Sequence, residues 1–151
     1  QRSPYAPDLA RLERALTDSF HADDAPALGA EALRSIDPVD WPAIRMRTHP
    51  ATQIVDLEWR IADLRRAADE GRVLPAPVRG RCTVLVWRVR NQALYRDIDA
   101  AERAGLMLAA RGAAFAEICA AVADSTDGAD PAACVGRMLQ VWLTDGVLAA
   151  G

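Results

Sequence analysis

Arg81-Cys82-Thr83-Val84-Leu85-Val86-Trp87-Arg88-Val89-Arg90-Asn91-Gln92-Ala93-Leu94-Tyr95-Arg96-Asp97 holds the strongest β signal in this 151-residue chain. Cys82 to Trp87 is its densest run of β-branched, aromatic and aliphatic residues, the types that pack well on a pleated surface. With a period of two, Thr83, Leu85, Trp87 and Val89 share one face and Cys82, Val84 and Val86 the other. Both faces are apolar as far as Val86, which predicts a strand covered on both sides there. Arg88 and Arg90 turn the second face basic. Ala93 to Ile98 can return beside the first arm, with the turn around Arg90 to Gln92 and Asn91 as the expected left-handed residue. No Asn-Gly or Asp-Gly pair fixes the register.

The hairpin has a helical approach. After the extended Pro4-Tyr5-Ala6-Pro7, helical spacing from Asp8 puts Leu9, Leu12, Leu16 and Phe20 on one buried stripe, with Arg11, Glu13, Arg14 and Asp18 in solvent. Pro26 and Gly29 mark a linker. Glu31 to Ile36 reads as a short helix, and Asp37-Pro38 as an N-cap followed by proline at the first helical position. Ile44 to Thr48 alternates like a half-buried strand, and Ile54 to Leu57 is a second extended piece. Ile61, Leu64, Arg65 and Ala68 form a helical pattern that begins at Trp59 and stops at Gly71. Val73 to Gly80, with Pro75 and Pro77, is a loop.

Three short helices are expected after the hairpin. Asp99-Ala100-Ala101-Glu102 has the spacing of a capping box and opens the first, which carries Leu106 and Leu108 and ends at Gly112. Phe115, Ile118, Cys119 and Val122 stripe the second. Asp130-Pro131 starts the third, with Val135, Met138, Leu139, Val141 and Trp142 on a broad buried face. Gly146 ends it, and Val147-Leu148 can form a last short strand. The expected fold class is α+β: a helical lead-in (residues 1–36), then a partner- and peptide-binding domain (37–151). That domain comprises a small mixed β-sheet with a hairpin and a C-terminal winged-helix-like three-helix unit.

A chain of this length buries roughly 68–70% of its unfolded surface, enough for a core without staples. Composition is ordinary for a globular protein, 51% hydrophobic and 26% charged. The net charge of −3 argues against a main task of gripping a phosphate backbone. All eighteen basic residues are Arg, which we read as codon usage rather than function. Cys82, Cys119 and Cys134 lack Cys-x-x-Cys spacing and read as buried free thiols in a reducing cytoplasm. No apolar run of about 18 residues predicts a membrane span, and no basic and then apolar opening predicts a signal peptide. The first residue is Gln1 rather than Met, so further sequence upstream is expected.

Catalytic constellations are sparse. Phosphate-loop, Gly-x-Ser-x-Gly, His-Glu-x-x-His and Cys-x-x-Cys patterns do not occur. The two histidines are His21 and His49; His21 with Asp23 and Asp24 reads as a helix end, and His49 before Pro50 as a turn residue. We therefore expect no catalytic residue, no metal site and no cofactor. A DNA-binding reading of the helix trio needs exposed Arg, Asn, Gln or Ser on a recognition helix. Between Asp130 and Asp145 only Arg137 and Gln140 qualify, so nucleic-acid binding stands as the alternative reading. Such a fold can instead take an extended peptide by strand addition at a sheet edge. Main-chain hydrogen bonds contribute only about 0.5–1.5 kcal/mol net each, against roughly 4–15 kcal/mol for association. Side-chain anchors are therefore needed, and the candidates are Trp87, Arg88, Arg90, Tyr95 and Arg96.

Six separated stretches resemble, in order, the C-terminal part of the HvfC/BufC family of peptide-modification chaperones. They are Tyr5 to Glu13, Phe20 to Pro26, Arg45 to Pro50, Val84 to Arg88, Asp99 with Glu102, and Asp145 to Leu148. The resemblance implies a cytoplasmic, non-catalytic subunit that forms a heterodimer with a TIM-barrel, multinuclear non-haem iron enzyme. That enzyme oxidatively modifies cysteines of a ribosomally made precursor peptide, and the accessory subunit is expected to bind the precursor's leader. The family usually carries a helical N-terminal domain for which this chain has no room, so it is either a piece of a longer protein or a short member. It departs from the family at Arg14, where Trp is common, and after His49-Pro50, where Asp56-Leu57-Glu58-Trp59 replaces a strand and Tyr-Pro pair. The hairpin turn, Val89-Arg90-Asn91-Gln92, lacks the family's glycine.

Overall fold

The computed structural model describes residues 2–128 and 130–151. Its centre is a three-stranded antiparallel sheet in the order β1-β2-β3: β1 (Gln53–Trp59), β2 (Arg79–Val89) and β3 (Gln92–Ile98). The sheet is wholly antiparallel, not mixed as the sequence reading had it. Each neighbouring pair of strands runs in opposite directions. Val84, Leu85 and Val86 are fully buried. This is what an apolar run on both faces of a central strand requires.

Each face of the sheet has its own helical layer. On the Val84 and Val86 face lie α1 (Ala6–His21) and α3 (Ile61–Asp69), with Leu12, Ala15, Leu57, Ile61 and Ala62 in the core between. On the Leu85 and Trp87 face pack α4 (Ala100–Ala110), α5 (Phe115–Asp124) and α6 (Pro131–Asp145), through Leu106, Ile118, Val122 and Trp142. What is observed of the expected winged-helix-like unit is this order, three helices after a hairpin. α1 crosses all three strands, and Leu33 of α2 (Ala30–Arg34) joins the opposite core. Residues 2–36 thus contribute to both layers.

Several local expectations need correcting. Phe20 is exposed rather than buried, because the inward line of α1 runs through Leu12, Ala15 and Ser19 and leaves Phe20 beside it; Val141 is likewise exposed. Arg45 and Thr48 make only isolated bridges, to Ala114 and Leu148, so Ile44–Thr48 is not a sheet strand. Asp37-Pro38 opens a turn, in which Asp37 Oδ1 accepts from the Val39 amide at 3.0 Å, ahead of a single 3-10 turn at Trp41–Ala43. Leu148 pairs with Thr48 in place of the expected short terminal strand. The three thiols are free and half-buried rather than buried.

Two buried acids organise the helices. Asp8, 4% exposed, lies in the first turn of α1. Its Oδ2 accepts from the Glu58 and Trp59 amides at 2.7 and 2.8 Å, where the β1–β2 register slips. A bulge frees amides that must find partners, and Asp8 supplies one while locking α1 to the sheet. Glu102 realises only half of the predicted capping box. Asp99 accepts from the Glu102 amide at 2.8 Å, but the Glu102 carboxylate turns inward to Arg96 and Trp142.

Candidate functional site

The hairpin's geometry decides which β3 groups are free. Val89 pairs with Gln92 across a two-residue loop, so alternate pairs from there exchange both main-chain bonds. Gln92, Leu94, Arg96 and Ile98 therefore direct their amides and carbonyls at β2, while Ala93, Tyr95 and Asp97 direct theirs outward. No other backbone pairs with these three among the described residues. The opposite margin differs. On β1 the outward amide of Glu58 is taken by Asp8, and Arg103 of α4 grips Asp56 through Nε at 2.9 Å and Nη2 at 2.7 Å. Those hydrogen bonds hold the Asp56 carboxyl below its ordinary value, against the opposing effect of burial.

The five predicted anchor residues have different fates. Trp87 is buried in the helix-trio core, 7% exposed, so it is a packing residue and not an anchor. Arg88 is a structural clamp. Its Nη1 donates to the Ser19, Phe20 and Ala22 carbonyls at 3.2, 2.7 and 2.8 Å, and its Nη2 meets Asp24 at 2.5 Å. These are last-turn carbonyls of α1 and the residue beyond, groups a helix leaves without internal partners. Arg96 is also committed: it forks onto Glu102 at 2.9 and 2.5 Å, lies 3.5 Å from Asp145, and stands over the Trp87 ring. The Glu102 hydrogen bonds push the Arg96 pKa up, outweighing burial, so its charge is permanent.

Tyr95 and Arg90 remain accessible. Tyr95 is half-buried on the α3 face, donates its hydroxyl to Asp69 Oδ2 at 3.3 Å and carries the Arg66 guanidinium 5.7 Å from its ring centre. Burial, with Asp69 adding to it, raises its phenol pKa. Arg90 is exposed at the loop tip with φ of 54°. The left-handed residue is thus Arg90 and not Asn91, because the first position of a two-residue loop bears the unusual twist.

Sequence reasoning missed Asp97. It sits on the free margin, on the α3 face opposite Val84. Burial first and the Asp63 carboxylate second push its pKa up, with Arg66 and Arg60 opposing. A cleft of about 550 Å³ opens beside it at this end of the sheet, lined among others by Arg60, Arg81, Cys82 and Arg103. The Cys82 thiol there is pushed up by burial and by Asp97, and its Sγ lies 3.5 Å from the Trp59 carbonyl. Among the described residues, no group of three or more His, Cys, Asp or Glu is placed to hold a metal ion. No described helix is long and apolar enough to cross a membrane.

The segments around Phe20–Pro26, Arg45–Pro50, Val84–Arg88 and Asp145–Leu148 meet one another in space. Arg88 clamps the Ser19–Asp24 turn, and His49 Nε2 lies 2.8 Å from the Ala25 carbonyl. The ring's other nitrogen accepts from the Ala51 amide at 3.1 Å, which identifies Nε2 as the protonated one. The His49 amide donates to the Val147 carbonyl at 2.8 Å, and Gly146 supplies the left-handed end of α6 with φ of 73°. These residues perform structural work. No protein-family model matches the chain, and no curated protein does.

Proposed function

We propose that this chain is a cytoplasmic, non-catalytic partner subunit that binds the leader of a ribosomally made precursor peptide along the free margin of β3. It presents that peptide to a TIM-barrel, multinuclear non-haem iron enzyme that modifies the peptide's cysteines. The observation that carries the reading is the row of outward main-chain groups at Ala93, Tyr95 and Asp97, left without backbone partners among the described residues. An extended guest completes such a row by strand addition. The enzyme partner rests on the ordered HvfC/BufC-like resemblance of the sequence. The β1 margin is the poorer choice, since Asp8 already occupies the Glu58 amide.

The test has two arms. Full-length protein co-expressed with a barrel iron enzyme and its cysteine-bearing precursor is expected to co-purify with both. Ala93→Pro removes an outward N–H without touching the β2 ladder, a position where proline is tolerated. It is expected to abolish precursor binding while near-ultraviolet dichroism stays unchanged. A folded variant that binds the precursor as well as the wild type would refute the margin as the site. Failure to hold the enzyme, or affinity for DNA that falls steeply with salt, would refute the partner role.

A further inference from the structure

Resting on the reading of β3 as a peptide margin, the geometry points to a guest of stated chemistry. We infer that it is a basic extended segment, with a Lys or Arg set beside Asp97 and an aliphatic or aromatic residue two positions away beside Tyr95. Cross-strand neighbours share a face, with Cβ atoms about 4.5–5.5 Å apart. Guest residues paired with Ala93, Tyr95 and Asp97 therefore put their side chains on the α3 side. The surface there is graded: small at Ala93, aromatic and half-buried at Tyr95, anionic at Asp97.

The charged groups around Asp97 leave room for one more cation. Asp63 faces it from α3 but is already held by Arg66 at 2.9 Å, and Arg66 also covers the Tyr95 ring. Asp69, further along α3, is paired with Arg65 and accepts from Tyr95. Arg60 acts on Asp97 only through space, and no hydrogen bond enters its balance. An incoming strand would bury Asp97 further, which raises the cost of leaving the carboxylate without a partner. A guest Lys or Arg removes that cost, and a guest Glu aggravates it.

Selection of a displayed random octapeptide library on the full chain tests this. The expected survivors carry Lys or Arg two positions from an aromatic or aliphatic residue, and slow hydrogen exchange at the Ala93, Tyr95 and Asp97 amides. Asp97→Asn is expected to weaken them about fivefold, the upper range for a cross-strand ion pair, and Asp97→Glu to retain most of the affinity. Asp97→Arg is expected to shift the selection toward acidic peptides. Survivors that protect the three amides yet show no basic preference, or ignore Asp97→Asn, would overturn this inference and leave the margin reading standing. Survivors that bind elsewhere, or no survivors, would overturn both.

Discussion

The Trp142 indole Nε1 donates to Glu102 Oε1 at 3.0 Å, joining α6 to α4 through a carboxylate that is only 9% exposed. The same carboxylate accepts the Arg96 fork from β3, so one buried acid ties sheet, first helix and last helix together. Removing it strands both an indole N–H and a half-buried guanidinium. Glu102→Ala is expected to cost about 2–3 kcal/mol, the range for breaking a buried charged hydrogen-bond set. Glu102→Gln should cost less, because its amide oxygen can still accept from Trp142. Urea unfolding followed by tryptophan fluorescence checks both; an alanine variant within about 0.5 kcal/mol of wild type would contradict this account.

Gly105 lies mid-helix in α4, where alanine ordinarily adds about 0.5–1 kcal/mol of stability. Here a Cβ would stand 2.9 Å from Trp142 Cη2 and 3.2 Å from Val122 Cγ2. The rigid indole is already fixed by Glu102 and cannot yield. Gly105→Ala is therefore expected to destabilise by about 1–3 kcal/mol, as overpacking does. Thermal melting would show the sign directly.

Arg90 occupies the left-handed region with φ of 54° and an exposed side chain. A non-glycine residue there costs about 1–2 kcal/mol, partly offset by the roughly 0.5–1 kcal/mol entropy cost of glycine. Arg90→Gly should thus stabilise by up to about 1 kcal/mol. Peptide affinity should be unchanged, since the tip lies beyond the free margin. A loss of precursor binding in that variant would instead assign Arg90 an anchoring role.

The direction of the Asp97 shift sets a pH dependence. Its pKa in the fold lies above the unfolded value, so its protonated form is favoured in the native state. That contribution is present below the unfolded pKa, roughly 3.9, and is lost as pH rises through the folded value. Asp97→Asn should therefore be more stable than wild type at pH 7, by less than about 1 kcal/mol for so accessible a group. The advantage should vanish near pH 3. Paired denaturation curves at the two pH values decide it; an equal advantage at both would mean that charge is not its source.

Thiol chemistry gives a last check. Burial raises the Cys82 and Cys119 pKa values, which lowers the reactive thiolate fraction. Alkylation by iodoacetamide at pH 8 should be slower in the native protein than in urea at both positions. Peptide mass spectrometry with time would show it.

Local order was legible along the chain wherever one periodicity ran without interruption. The run Cys82 to Trp87 specifies a two-faced central strand because every position is apolar whichever way it points. Asp99, Gly71, Asp130 and Gly146 mark helix boundaries through chemistry that acts within a few residues. What the order of residues left open was settled by partners far apart in sequence. Asp8 reads as an ordinary first-turn acid until the slip in the β1–β2 register, fifty positions on, presents it with two amides. Arg88, Arg96 and Trp87 have the composition of an exposed anchor set, yet α1, Glu102 and the helix trio claim them. Glu102 leaves its cap because Trp142 and Arg96 arrive together at a buried place, where a charge without partners costs more than a frayed first turn. The sheet margins followed in the same way: the tertiary fold delivered the Asp8 carboxylate to the Glu58 amide of β1 and, among the described residues, no backbone to the outer side of β3.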